Sequence, residues 1–409
     1  MHVIKEEGLK VPIKIWSSEG SIEEGAIQQL KNAASLPFAF KQVVACPDCH
    51  FGFGAPIGGV LATKGVVIPN FVGKDIGCGM CAIRTSLTEI SKKQLTDIMS
   101  KIRDKVPLGF SHQKEDQNPD LMPNINFLNH DNKEAYPIVS EQYRSALKQL
   151  GTLGGGNHFI EIQKGSDGNI WFMIHSGSRN LGKQVADHYN KVAKEFNELW
   201  YSSVQKEWDL AFLPMDTEQA KSYMREMNYC LEFAYANRKL MAERIKEAFI
   251  EVINGVTMEM LMNAPFALVK FDDMINIHHN YATWENHFGE NVVIHRKGAT
   301  SAKDGEIGLI PGSQGTASYV VRGKGNKESF MSCSHGAGRK MGRKDACRTL
   351  DLETEKKLLD DKGIIHAIRS QEDLDEAPGS YKDIDVVMEE QKDLVDIVVK
   401  LEPLAVIKG

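Results

Sequence analysis

The chain has 409 residues, of which 42% are hydrophobic and 25% charged, with a formal net charge of −6. That is the balance of a globular chain and excludes a compositionally disordered one. No apolar run is long enough for a membrane span, and Met1-His2-Val3-Ile4-Lys5-Glu6-Glu7 has no apolar export region, so a cytoplasmic protein is expected. The seven cysteines then read as reduced thiols or metal ligands.

In chain order, short β-branched or aromatic runs bracketed by Gly, Pro, Asp or Asn predict strands at Val43–Ala45, Ile57–Ala62 and Val66–Ile68, then at Phe159–Ile162 and Trp171–Ile174, and finally at Val292–Ile294 and Tyr319–Val321. Between them, Ile90, Leu95, Ile98, Met99 and Ile102 are spaced for one buried face of a helix from about Thr88 to Lys105. Residues 107–135 are polar, carry Asn118-Pro119 and Met122-Pro123, and read as a long loop. A second helical block starts near Asp216, with Gln219 at capping-box spacing, and ends at Asn254-Gly255. Its length suits two helices. This mixture predicts an α+β fold, and motifs scattered from residue 46 to 408 must converge in one cleft, so 1–409 is expected to be a single compact domain.

Chemistry-bearing residues come in clusters. Cys46-Pro47-Asp48-Cys49-His50 and Cys78-Gly79-Met80-Cys81 form two CxxC pairs, twenty-eight residues apart. A zinc ribbon is one reading, although its spacer is usually only ~15–20 residues. Alternatively, Asp75 and Cys78, set among Gly73, Gly77 and Gly79, offer a carboxylate and a bridging thiolate to cations. His158 follows a glycine run, His175 follows a hydrophobic strand, and His279 lies in Asn276-Ile277-His278-His279-Asn280. With Asp75 and Cys78 they make a metal site whose mixed S, N and O donors suit Zn, Mn, Fe or Co.

His335 lies in Cys333-Ser334-His335-Gly336-Ala337-Gly338-Arg339, where small neighbours let a bulky ligand reach the ring and backbone amides. Imidazole can attack phosphorus, and the Arg339 guanidinium can grip phosphate. Residues 322–348 carry eight bases against two acids, whereas 351–397 carry fifteen acids against six bases. The basic stretch is where a polyanion is expected to lie.

Together these residues resemble the RtcB family of RNA ligases. The resemblance rests on Pro47-Asp48-Cys49-His50, Asp75-Ile76-Gly77-Cys78-Gly79, Gly156-Asn157-His158-Phe159-Ile160-Glu161, His175-Ser176-Gly177-Ser178-Arg179, His279-Asn280, Pro311-Gly312-Ser313, Ser334-His335-Gly336-Ala337-Gly338-Arg339, Tyr381-Lys382-Asp383-Ile384-Asp385 and Lys408-Gly409, in family order along nearly the whole chain. It implies sheets packed with helices around a central cleft holding two Mn²⁺ ions. Asp75, Cys78, His158, His175 and His279 match the ligands, with Cys78 as the bridge. His335 matches the histidine that carries GMP, and Arg339 matches an arginine near the transferred phosphates. Asn157, His158, Phe159, Ile160, Glu161, His279, Asn280, Pro311, Gly312, Ser313, Gln314, Ser318, His335, Gly336, Ala337, Gly338 and Lys408 match contacts to GTP.

The implied reaction joins RNA 3′-phosphate or 2′,3′-cyclic phosphate ends to 5′-hydroxyl ends in RNA repair or tRNA splicing. An archease-type activator is a family partner. Cys49, Cys81 and Gln314 depart from the commoner residues at their places. Two other readings are a branch specialised for repairing structured RNA such as ribosomal RNA, and a zinc-stapled, non-catalytic RNA-binding protein using Cys46, Cys49, Cys78 and Cys81.

Overall fold

A computed structural model of the chain describes residues 1–124, 134–255 and 269–409. Two large sheets organise it. The first is six-stranded, in the spatial order His2–Ile4, Ile13–Ile15, Ala39–His50, Ile57–Thr63, Glu290–Lys297 and Asn280–His287. The second is seven-stranded, in the order Ile275–His278, Gly79–Arg84, Ile170–Ser176, Phe159–Gly165, Val395–Lys408, Ser318–Gly323 and Ile307–Ile310. Pairing within them is antiparallel except between Ile13–Ile15 and Ala39–His50.

Both sheets are buried on two faces, which is why their strands read as continuous apolar runs. In the seven-stranded sheet Cys81, Ile83, Ile160, Ile162, Phe172 and Ile174 face one apolar cluster. The intervening Met80, Ala82, Trp171 and Met173 face another, with Leu309, Val320 and Leu401. The same period of two splits the six-stranded sheet. Val44, Cys46, Val60 and Ala62 lie on one side, and Val43, Ala45, Cys49 and Leu61 lie on the other, against the helix Glu24–Ala34.

The α+β expectation holds, and each predicted strand lies at its place. The first predicted helix runs from Lys92 to Lys105, where Ser91 and Gln94 form a reciprocal capping box. The second differs from expectation twice. Its cap is Thr217, whose hydroxyl accepts from Ala220 N at 3.2 Å, and it runs unbroken from Glu218 to Asn254. No glycine or proline interrupts that span, and a buried stripe including Met227, Ala234, Met241 and Ile245 ties it to the core along its length. Left-handed Gly255 ends it. Helices at Pro137–Gln149 and Arg179–Leu199 were not anticipated. Part of the polar segment 107–135, residues 125–133, lies outside the described residues. Among the described residues no helix is long and apolar enough to cross a membrane.

Candidate active site

Four neighbouring strands of the seven-stranded sheet each deliver one side chain at the same end. Their order in the sheet gives His279, Cys78, His175 and His158, because Gly79 pairs with His278 and Ser176, and His175 with Phe159. Cys78 Sγ lies 3.2 Å from His175 Nε2 and 3.4 Å from His158 Nε2. His175 Nε2 is 3.3 Å from His279 Nε2, and His158 Nε2 is 3.1 Å from Asp75 Oδ2. Two triads result, Cys78–His175–His279 and Asp75–Cys78–His158, with ligand atoms within 4.8 Å of one another. They share one sulfur, and a thiolate has lone pairs enough to bridge two cations.

The rings are aimed by their other nitrogens. His158 Nδ1 lies 2.9 Å from Leu153 O and His175 Nδ1 2.9 Å from Asn157 O. Donation to those carbonyls fixes the tautomer and turns each Nε2 lone pair toward the cluster. Burial pushes His175 and His279 far below the usual histidine range, so both rings are uncharged donors. Burial opposes charge on Asp75, but its bond to His158 and the charge there hold it down to about 2.

The long helix braces this end of the sheet. Arg238, wholly buried, donates through Nη1 to Gly77 O at 3.0 Å and Ser176 O at 2.7 Å, and through Nε to Asn276 Oδ1 at 2.6 Å. Asn237 Oδ1 accepts from Gly151 N at 2.7 Å and Thr152 N at 3.1 Å, upstream of His158. These two residues carried no sequence signal beyond being polar on an apolar stripe.

His335 follows the short strand Ser332–Ser334, and its ring stands 4.8 Å from that of His279, centroid to centroid. Asp48, from the six-stranded sheet, holds it. Asp48 Oδ2 accepts from His335 N at 3.0 Å and lies 2.6 Å from His335 Nδ1. Burial alone would raise the Asp48 carboxyl, yet the charge and bond of the His335 ring hold it below the usual range. In the neutral ring, donation from Nδ1 leaves Nε2 with its lone pair available.

A cavity of about 470 Å³ opens beside His335. Of the sequence-predicted nucleotide contacts, Asn157, Phe159, Glu161, Pro311, Gly312, Ser313, Gln314, His335, Gly336, Ala337, Gly338 and Lys408 line it, as does Arg339. The others lie elsewhere. Ile160 is in the core, Ser318 Oγ accepts from Gly312 N at 3.2 Å, and Asn280 joins Asp75 O to Gly298 N at 3.0 and 2.8 Å. His158 and His279 stand in the ligand cluster, where His175 also reaches the cavity wall.

At the cavity's far side Glu376 gathers the cations. Arg339 Nη1 lies 3.1 Å and Arg343 Nε 2.7 Å from Glu376 Oε1, and Tyr381 donates to its other oxygen. Glu376, Arg343 and Asp48 were missed as site residues; Asp48 and Tyr381 lay in quoted motifs without a role. Glu161 is buried between Gln163, which donates to it, and Lys408. Burial raises its carboxyl to about 8, against the pull of both neighbours.

The zinc-ribbon arrangement is not formed. Cys46, Cys49 and Cys81 are fully buried in three different apolar clusters, and among the described residues only Cys78 joins a metal-holding group. The CxxC residues alternate across strand faces, so each pair is split by the sheet.

The family model described as tRNA-splicing ligase RtcB matches residues 29–409. The RNA-splicing ligase RtcB of Escherichia coli (strain K12) is 38% identical over 411 aligned positions, covering 97% of both chains. The tRNA-splicing ligases RtcB of Thermococcus kodakarensis and Methanococcus maripaludis are 30% and 31% identical, covering 99% and 100% of this chain and 96% and 97% of their own. With homology along its whole length, the chain belongs to the RtcB family of RNA-splicing ligases.

Proposed function

We propose that this protein is a GTP-dependent RNA ligase that joins 3′-phosphate and 5′-hydroxyl ends through a guanylate carried on His335, with residues 1–409 acting as one domain. The observation that carries the proposal is the clamp on His335. Asp48 engages Nδ1 at 2.6 Å, while the ring borders both a nucleotide-sized cavity and the ligand cluster. Asp75, Cys78, His158, His175 and His279 fit a pair of Mn²⁺ ions, which when bound neutralise phosphate oxygens.

His335 Nε2 attacks the α-phosphorus of GTP; the N–P bond forms as the bond to the β-phosphate oxygen breaks, and pyrophosphate leaves. Positive charge develops on the ring, and the Asp48 carboxylate stabilises it. An oxygen of the RNA 3′-phosphate then attacks the guanylate phosphorus, the N–P bond breaks, and an RNA–ppG end forms. The 5′-hydroxyl oxygen attacks the RNA phosphorus, releasing GMP and a proton, and a 3′,5′-phosphodiester results. A 2′,3′-cyclic phosphate is first opened by water. Arg339 lines the cavity as a cation for the phosphates, and Lys408, beside Glu161, lines it as a further nucleotide contact.

The full chain with Mn²⁺ and α-labelled GTP is expected to acquire an acid-labile, alkali-stable label, which RNA bearing a 3′-phosphate discharges. Protein that stays unlabelled with every divalent ion tried would sink the reading.

Glu161 is assigned to the guanine base, as a carboxylate accepting from N1–H and the N2 amine. Its ionised form binds, so GTP affinity should climb with pH by roughly tenfold per unit below pH 8 and level off above it. The comparison is calorimetric, in a His335→Ala background that blocks turnover. Glu161→Gln should lose this slope; a slope that survives the substitution would assign the titration to another group.

A further inference from the structure

The segment Phe51-Gly52-Phe53-Gly54 leaves the strand bearing Asp48 and His50 and holds two phenyl rings in solvent, 56% and 54% exposed. Single exposed apolar side chains are ordinary. Here the backbone beneath them is pinned by polar side chains. Phe51 N donates to Glu23 Oε1 at 2.6 Å. Gln29 clasps Gly52, with Nε2 to Gly52 O at 2.5 Å and Oε1 to Gly52 N at 3.1 Å. Lys297, a buried amine, donates to Phe53 O at 2.5 Å and Asn70 O at 3.1 Å. Burying an amine and an amide to hold an exposed turn fixes where its rings stand, and pre-ordered rings lose less entropy when a ligand arrives.

Their position gives the ligand. Phe51 lines the cavity that contains His335. Phe53 lies under Lys74 Nζ, 5.1 Å from the ring centroid, and Lys74 immediately precedes Asp75 of the ligand cluster. That ammonium also pairs with Asp187 Oδ1 at 3.4 Å, an exposed pair too weak to hold it from a phosphate. The two rings thus connect the nucleotide cavity to the metal loop, with a cation beside them. An aromatic face for a base, next to a cation for its phosphate, is how proteins hold single-stranded nucleic acid irrespective of sequence.

We infer that Phe51 and Phe53 form a stacking platform for the unpaired terminal bases of the RNA strands brought to His335. This rests on the RNA-joining reading. Stacking ignores base identity, so the platform suits a ligase that accepts varied ends provided they are single-stranded.

The test uses the full chain and single-stranded RNA carrying 2-aminopurine as its terminal base, in one arm on a 3′-phosphate end and in the other on a 5′-hydroxyl end. Quenching on binding is expected in at least one arm. It should vanish in the Phe51→Leu/Phe53→Leu variant, whose affinity should fall by roughly tenfold for each ring lost. RNA with an abasic terminal position should bind wild type and variant alike, which separates lost stacking from a disturbed fold. Quenching retained in the variant, quenching in neither arm, or abasic RNA weakened as much as base-bearing RNA would each overturn the platform. Failure of GTP labelling with quenching intact would strike the nucleotidyl-transfer reading and leave the platform standing.

Discussion

His335→Ala is expected to take no label from α-labelled GTP, and Asp48→Asn to label slower by roughly 10³–10⁴-fold, the scale on which a histidine loses function without its carboxylate partner. The two effects have different origins. Alanine removes the atom that bonds to phosphorus. Asparagine keeps the shape of Asp48, and its oxygen can still accept from His335 N and Nδ1–H. What it lacks is the negative charge that balances the ring as the N–P bond forms. Asp48 is wholly buried, and its other oxygen, Oδ1, has no hydrogen-bond partner among the described residues. The space around it is tight, since a Cβ placed on Gly338 would meet Asp48 O at 2.3 Å. A neutral amide of the same size fits there without burying a charge, so the variant should unfold at close to the wild-type temperature while losing its rate. Equal loss of stability and labelling would make Asp48 a structural residue; labelling at the wild-type rate would remove its charge from the chemistry.

How much of this was legible in the sequence depended on the range of the interaction. The strands were readable because burial on two faces writes itself as short apolar runs, and the helix Lys92–Lys105 was readable through the spacing of Leu95, Ile98, Met99 and Ile102. The helix Arg179–Leu199 was not, because its start signal is absent: Ser178 makes no capping bond and Arg179 has φ 59°. Its buried Leu181, Val185, Tyr189 and Ala193 do recur every four residues, a helical spacing that went unread without a start signal beside it. The residues of the His/Cys/Asp cluster were named by resemblance, but the reason those residues meet was not legible. Sheet order places residues 275–278 beside 79–84 and those beside 170–176, which no local pattern states. Asp48 and His335 lie 287 residues apart, and Asp48 sits inside a strand whose cysteines drew attention to zinc instead. Glu376 and Arg343 escaped for the same reason, as members of acidic and basic stretches that read only as net charge.

The clearest discrimination among metal readings comes from two cysteines that look alike in the sequence. Wild-type protein is expected to retain two Mn²⁺ per chain on equilibrium dialysis, Cys78→Ser at most one, and Cys46→Ser both. Cys78 Sγ is the single atom common to the two triads, so its loss removes a donor from each and the bridge between them. A serine hydroxyl is a poor substitute, being a neutral and harder donor at neutral pH. Cys46 faces an apolar cluster with Val44, Val60 and Cys333, remote in function from any cation. Its replacement puts a hydroxyl where the thiol packed as a small hydrophobe, which costs about 1–3 kcal/mol if the hydroxyl finds no partner. Cys46→Ser should therefore melt earlier with its metal count intact, whereas Cys78→Ser should lose metal and ligation together. Equal metal loss in both variants would restore the four-cysteine staple. Two ions retained in Cys78→Ser would instead show that the imidazoles and Asp75 suffice without the sulfur.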